Sequence, residues 1–288
     1  MLPPSLHNHL DSTLPARILA ARPLSGGDIH RAYRLELENG QNIFIKTNQN
    51  RQAPEMFRTE SLGLKLLGQS QAIRIPDVIG HRSSDDGHAY LMLEYIEPGH
   101  RNAQFWERFG RKLARLHKVT SAQFGLDHDN FIGSLPQSNT QHSTWAEFYT
   151  EERLLPQMTM ARRQGYFDEP TGQQLHRLCS KLNSVCPAEQ PALCHGDLWS
   201  GNFLCDTAGE PVLIDPAACY AHREMDLAMT RLFGGFDPRF YDAYKDAWPL
   251  EPGFEDRIGI YQLYYLLVHV NLFGGGYVGS VRGILKDW

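Results

Sequence analysis

Three oxygen-bearing side chains point to a chemistry. Asp197 and Asn202 stand five residues apart in the run His195-Gly196-Asp197-Leu198-Trp199-Ser200-Gly201-Asn202. Asp215 follows in Val212-Leu213-Ile214-Asp215-Pro216-Ala217, beyond a turn expected over residues 206–210. A hairpin near Gly209 folds the second segment back on the first, which brings Asp215 close to Asn202. Two carboxylates and one amide oxygen then converge. Hard oxygen donors of this kind suit Mg²⁺, which keeps part of its shell for water and phosphate. Turns and strand-end caps use the same residue types, but they do not explain all three at this spacing.

The spacing matches phosphoryl transfer. The kinase run H-R-D-L-x-x-x-N is met with Gly196 in place of Arg, and Asp215 is followed by Pro-Ala rather than Phe-Gly. Such a site also needs a strand Lys on the α- and β-phosphates and a helix Glu to hold that Lys. Lys46 ends the run Ile43-Phe44-Ile45-Lys46, and Glu60 lies 60 − 46 = 14 residues on, with Glu55 as a rival. Gly26, Gly27 and Asp28, followed by Ile29, precede the first strand. They form neither G-x-G-x-x-G nor a Walker A run, yet their position suits backbone N–H groups turned toward phosphates. Glu94, Tyr95 and Ile96 lead into Glu97-Pro98-Gly99, where backbone groups are expected to read an adenine ring.

The elements that must position these residues fall into two parts. Tyr33 to Glu38 alternates as a half-buried strand, Asn39-Gly40 is a hairpin turn, and Asn42 to Thr47 returns. Pro54 to Gly68 reads as a helix, and Val78 to Gly80 and Ala89 to Tyr95 as strands. Past residue 99 the pattern turns helical: 105–117, 144–165, 171–185, 226–233, 240–246 and 254–273, with a β island over 194–217. This is an α+β chain with a small antiparallel-sheet part over residues 1–93, a hinge at 94–99, and a larger, mainly helical part over 100–288.

Composition narrows the function classes. The net charge is 28 − 33 = −5 with no long basic block, which speaks against a nucleic-acid backbone as partner. Five cysteines, with no C-x-x-C pair, fit neither a disulfide scaffold nor a zinc knuckle and suggest a reducing, cytoplasmic setting. The start MLPPSLHNHLDS lacks the features of a secretory signal, and the apolar run 258–273 is too short and polar to span a bilayer.

With these residues in view, the chain resembles the fructosamine kinase (ketosamine-3-kinase) family, within the wider aminoglycoside phosphotransferase-like and choline-kinase-like group. The markers are Gly26-Gly27-Asp28-Ile29 with Ala32-Tyr33-Arg34-Leu35, the block 195–202, and Leu213-Ile214-Asp215-Pro216-Ala217. Others are His222-Arg223-Glu224-Met225-Asp226-Leu227-Ala228, Leu232-Phe233-Gly234-Gly235-Phe236 and Tyr261-Gln262-Leu263-Tyr264. The resemblance implies a two-lobed protein-kinase-like fold with ATP and Mg²⁺ in the cleft. It makes Asp197 the catalytic base, Asn202 and Asp215 the metal ligands, and Lys46 with Glu60 the holders of the ATP phosphates. Trp199 would face the sugar. The implied reaction moves the γ-phosphate of ATP to the C3 hydroxyl of a ketosamine, a ribulose, erythrulose or fructose adduct of an amine, free or on a protein. The 3-phosphate then breaks down and releases the amine, a deglycation repair. Two departures stand out: Asp28 occupies a position that is Cys in some relatives, and His30 one that is often Asn.

Other residues keep two readings. His195 is a candidate substrate contact, as is Glu224, because a ketosamine amine is cationic near neutral pH. Asp226 is expected to bond the catalytic-loop backbone from a helix start, and His117 to be a buried or capping histidine. Phe233 to Phe236 flank the substrate pocket or simply end a helix, and Gly274 to Gly276 stop one. The competing functions are a related kinase for another sugar or amino alcohol, and an inactive nucleotide-binding scaffold. Neither the preferred ketosamine nor the oligomeric state is legible in the chain.

Overall fold

Alternation at Tyr33, Leu35 and Leu37 builds the expected strand, which becomes the second of five. The protein is described by a computed structural model over residues 2–24 and 30–288. Helix α1 (Pro4–Thr13) leads into β1 (Ile18–Leu24), β2 (Arg31–Leu37), β3 (Asn42–Asn48), helix α2 (Ala53–Gln69), β4 (Val78–Ser83) and β5 (Ala89–Glu94). The strands form one antiparallel sheet in the order β1-β2-β3-β5-β4. Side chains alternate across a strand, so each face of the sheet has its own partner. Ile43 and Ile45 join Tyr33, Leu35 and Leu37 against Leu6 and Leu10 of α1. Leu91 and Leu93 pack with Phe57 and Leu64 of α2 on the other face, with Phe44 against that cluster. Lys46 shares the parity of Phe44 and therefore faces α2.

The second part begins with α3 (Phe105–His117) and a short hairpin of β6 (Asn130–Ile132) and β7 (Leu135–Gln137). Helices α4 (Trp145–Tyr149), α5 (Leu155–Arg163) and α6 (Glu169–Val185) follow. The single helix expected over 144–165 is interrupted by a π-helical turn at Thr150–Leu154. Then come β8 (Ala192–Cys194), β9 (Phe203–Cys205), β10 (Pro211–Leu213) and β11 (Cys219–Ala221), paired as two small antiparallel ribbons, β8 with β11 and β9 with β10. Helices α7 (Glu224–Leu232), α8 (Pro238–Ala247), α9 (Phe254–Phe273) and α10 (Val278–Leu285) complete the chain, the last after a 3₁₀ turn at Gly275–Tyr277. The apolar α9 runs through the main core, where Tyr261, Leu263, Leu267 and Val270 are fully covered. The five cysteines are free, and all but Cys179 are buried.

Helix α3 approaches α8 so closely at Gly110 that a Cβ there would lie 2.2 Å from the Phe240 carbonyl oxygen. Backbone cannot swing aside as a side chain does, so Gly110→Ala is expected to cost about 1–3 kcal/mol through overpacking. A fall of several degrees in melting temperature, with an unchanged far-ultraviolet circular dichroism spectrum, is the expected result; an unchanged melting temperature would disprove the close contact.

The joint between the two parts is tied from both sides. The N–H of Gly99 donates to the Cys205 carbonyl at 2.8 Å, and the N–H of Leu213 to the Arg74 carbonyl at 3.0 Å. The Arg74 guanidinium pairs with Glu94 at 2.7 Å and also with Asp206. The β9–β10 hairpin, which carries Asn202 and Asp215 at its ends, is thereby docked on the sheet part.

Candidate active site

Three elements meet at the site: the loop from β8 to β9, the loop after β10, and β3 with α2. The first loop turns at Gly196, where φ is +84° and a Cβ would lie 2.0 Å from the Ala217 carbonyl oxygen. No L side chain fits this turn, which explains why Gly replaces the Arg of the kinase run. Asp226, at the start of α7, accepts from both turn amides: His195 N–H to Oδ2 at 2.7 Å and Gly196 N–H to Oδ1 at 2.9 Å. His117 Nε2 donates to the same Oδ2 at 3.1 Å, and its Nδ1 meets the Tyr244 hydroxyl at 2.8 Å. Burial would push the Asp226 carboxyl up, but the bonds and charges of His117 and His195 outweigh it and hold the pKa below its ordinary value. The expected backbone role of Asp226 is the geometry observed.

Asn202 organises the centre. Its Nδ2 donates to the Asp197 carbonyl at 2.8 Å, to Asp197 Oδ2 at 3.0 Å and to the Asp215 carbonyl at 3.4 Å. The Ile214 N–H donates to the Asn202 carbonyl at 3.1 Å, which joins the two loops. Asp215 holds a left-handed φ of +55°. That conformation is uncommon outside glycine and tends to mark functional sites. Lys46 Nζ bridges Glu60 Oε1 at 2.9 Å and Asp215 Oδ1 at 2.5 Å. Burial opposes the charge on Lys46, yet Asp215 and Glu60 outweigh it and hold its pKa above the ordinary value. Glu60, rather than Glu55, is the partner; Glu55 pairs with Arg58 on the surface. Asp197 has the opposite balance. Burial, with Asp215 and Asp226 nearby, pushes its carboxyl up to about 7 despite the Asn202 bond.

The donor set fits Mg²⁺. With its Nδ2 engaged, Asn202 leaves Oδ1 without a hydrogen bond among the described residues, and Asp215 keeps Oδ2 clear of Lys46. Both are hard oxygens beside a buried Lys, a donor set of the kind that suits a divalent cation and a phosphate chain. His30 lies at the edge of this group, sharing a 3.0 Å hydrogen bond with Asn48 and packing on Phe57 at 4.8 Å. Burial and nearby Lys46 lower its pKa to about 4, so the ring is neutral.

The remaining expectations divide. Gly26, Gly27 and Asp28 lie outside the described residues. At the hinge, Glu94 N–H is committed to the Asp77 carbonyl at 2.8 Å, while among the described residues the Ile96 N–H takes no backbone partner. Tyr95 lies under the Arg34 guanidinium at 4.7 Å. Trp199, within the loop from β8 to β9, is 37% exposed and edge-on to Phe233 at 6.2 Å.

Two expectations are corrected. Glu224 does not face a substrate: it is fully buried and bidentate to Arg257 at 2.6 and 2.8 Å. His195 is also fully buried, donating from Nε2 to the Ile214 carbonyl at 2.9 Å while Nδ1 accepts the Asp197 N–H at 3.2 Å. It braces the loop instead of touching a ligand. Tyr265, read only as core helix in the sequence, donates from its hydroxyl to the Gly196 carbonyl at 3.0 Å. No local signal marks it, because a helical tyrosine facing a core and one facing a loop have the same spacing.

Comparison with known proteins accords with this geometry. The family model described as "Fructosamine kinase" matches residues 5–288. The chain is 46% identical over 277 residues to a probable ketoamine kinase of Synechocystis, covering 95% of this chain and 91% of that one. It is 40% identical over 269 residues to the chloroplastic protein-ribulosamine 3-kinase of Arabidopsis thaliana, covering 92% and 81%. Among solved structures, a putative fructosamine-3-kinase from Thermobifida fusca superposes with a TM-score of 0.86 at 36% identity, covering 98% and 99%.

Proposed function

The chain belongs to the fructosamine kinase family, and from that premise we propose that it transfers the γ-phosphate of ATP to the C3 hydroxyl of a ketosamine. The observation that carries this reading is the convergence of Asp197, Asn202, Asp215 and the Lys46–Glu60 pair. ATP lies between the sheet part (1–93) and the helical part (100–288), with adenine on the backbone of the 94–99 hinge, where the free Ile96 N–H favours that residue as donor. Gly26, Gly27 and Asp28 cover the phosphates. We place the enzyme in the cytoplasm, in keeping with its free cysteines. Among the described residues, no helix is long and apolar enough to cross a membrane.

Each residue has a separable task. Asp197 accepts the proton of the C3 hydroxyl as that oxygen attacks the γ-phosphorus, whose bond to the bridging oxygen breaks to release ADP; a pKa near 7 matches a base that works near neutral pH. Lys46, held charged by Glu60, neutralises phosphate oxygens and fixes their direction. Asn202 Oδ1 and Asp215 hold Mg²⁺, which supplies charge neutralisation on the transferring group. Trp199 lines the sugar side. Asp226, His117 and Tyr265 hold the loop in position.

Incubation of the purified protein with ATP, Mg²⁺ and synthetic ribulosamine, erythrulosamine and fructosamine, followed by phosphorus NMR, tests the proposal. A 3-phosphate on at least one adduct, with later release of the amine, is expected. Turnover of another alcohol with none of the three would replace the reading by that of a related small-molecule kinase.

A further inference from the structure

The amine of a ketosamine is cationic near neutral pH, and Glu224, the carboxylate expected to meet it, is spent on Arg257. The surface beside the catalytic loop offers a different partner. Trp199, Phe233 and Phe273 are large apolar side chains left exposed, at 37%, 41% and 54%. They are joined through His269. Its ring lies 4.9 Å from Phe233, 5.0 Å from Tyr277 and 5.5 Å from Phe273, and Trp199 meets Phe233 edge-on. His269 sits one helical turn beyond Tyr265, the residue that grips Gly196, so it shares the α9 face that meets the catalytic loop.

The imidazole is oriented. Nδ1 lies 2.7 Å from the Tyr265 carbonyl oxygen, which can only accept, so Nδ1 carries the hydrogen. Burial lowers the ring's pKa, and the neutral ring has Nε2 as an acceptor. Among the described residues nothing hydrogen-bonds that Nε2, and none of their Lys or Arg side chains lies over Trp199, Phe233, Phe273 or Tyr277. Elsewhere the chain's own cations lie over its rings, as Arg101 does over the buried Phe105, Trp106 and Phe203. Among the described residues these four rings carry no cation.

We propose that Phe233, His269, Phe273 and Tyr277 form an aromatic seat for the protonated amine of the substrate, with His269 Nε2 accepting an ammonium N–H. Ring faces attract ammonium groups through their quadrupoles, and this seat begins where the Trp199 sugar wall ends. Amine-bearing adducts are thereby favoured over uncharged ketose ethers, and the open side admits an amine that continues into a longer chain. The inference rests on the proposed ketosamine reaction.

The test compares ribulosamine with the uncharged analogue in which an ether oxygen replaces the nitrogen. Two variants on separate elements are used: His269→Phe, which keeps a ring and loses the acceptor, and Phe233→Leu, which loses a ring face. KM for ATP reports an intact fold, and either correctly folded variant decides. Each variant is expected to raise KM for ribulosamine about threefold to tenfold, with kcat within about twofold and KM for the ether almost unchanged. An equal rise for both substrates, a loss confined to kcat, or no rise for ribulosamine overturns the seat. If the unaltered protein prefers the erythrulose or fructose adduct, that adduct and its ether take the place of the ribulose pair; absence of turnover of all three by the unaltered protein would instead refute the reaction itself, and the seat with it.

Discussion

Asp197→Asn is expected to lower kcat by about 10²–10⁴-fold while making the metal-free protein more stable at neutral pH. Both effects have one cause. The loop buries Asp197 beside Asp215 and Asp226, which pushes its carboxyl from an ordinary 3.8 to about 7. The folded protein holds the proton up to about pH 7, whereas the unfolded chain releases it near pH 4. The folded state is therefore fully favoured below pH 4 and loses that advantage as pH rises toward 7. A difference of about three pKa units corresponds to roughly 4 kcal/mol, to order of magnitude. An amide never ionises, so the variant avoids this cost; its Oδ1 can accept from Asn202 in place of the carboxylate. Melting curves at pH 5 and pH 7.5, beside phosphate-transfer rates, check both halves. The variant should gain stability over the unaltered protein mainly at the higher pH. Full turnover in the variant would remove Asp197 as the base, and equal stability at both pH values would remove the buried-charge account.

Asp226→Ala is expected to be the most damaging single change to the fold near the site. It leaves the His195 and Gly196 N–H groups and His117 Nε2–H without their shared acceptor, in a place no solvent reaches. Removing one partner from such a buried, charge-assisted set costs about 3–5 kcal/mol. Chemical denaturation should show that loss. Asp226→Asn, which keeps one acceptor oxygen, should lose less. In that milder variant the loop carrying Asp197 is loosened, so kcat should fall while KM for ATP, which the proposal assigns to Lys46 and residues 94–96, changes little. A milder variant with normal kcat would show that Asp226 only supports the fold.

The legible and illegible parts of the site differ by sequence distance. Asp197, Asn202 and Asp215 could be placed together because one loop and one hairpin connect them, and short connections leave few alternatives. Lys46 and Glu60 were readable for a similar reason: strand parity and a following helix of predictable length face them toward each other. The backbone partners over residues 94–99 were not legible: the Glu94 N–H is taken by the Asp77 carbonyl, while among the described residues the Ile96 N–H has no backbone partner. The helix over 144–165 was half legible: its apolar spacing is there, but the π-helical turn inside it leaves no mark that spacing can reveal.

The amino-acid sequence by itself determined the kinase-like chemistry, the pairing of Lys46 with a helix Glu and the two-part α+β plan. These follow from residue type, periodicity and short-range geometry. Tertiary structure alone decided which charged side chains are free to meet a ligand. Glu224 finds Arg257 at a separation of 33 residues, His195 finds Asp226 at 31, and Tyr265 finds Gly196 at 69. A buried charge must be neutralised by whatever packing brings beside it, and no local pattern announces that partner. Packing also leaves Phe233 and Phe273 exposed beside His269, the surface proposed to meet the amine in place of Glu224.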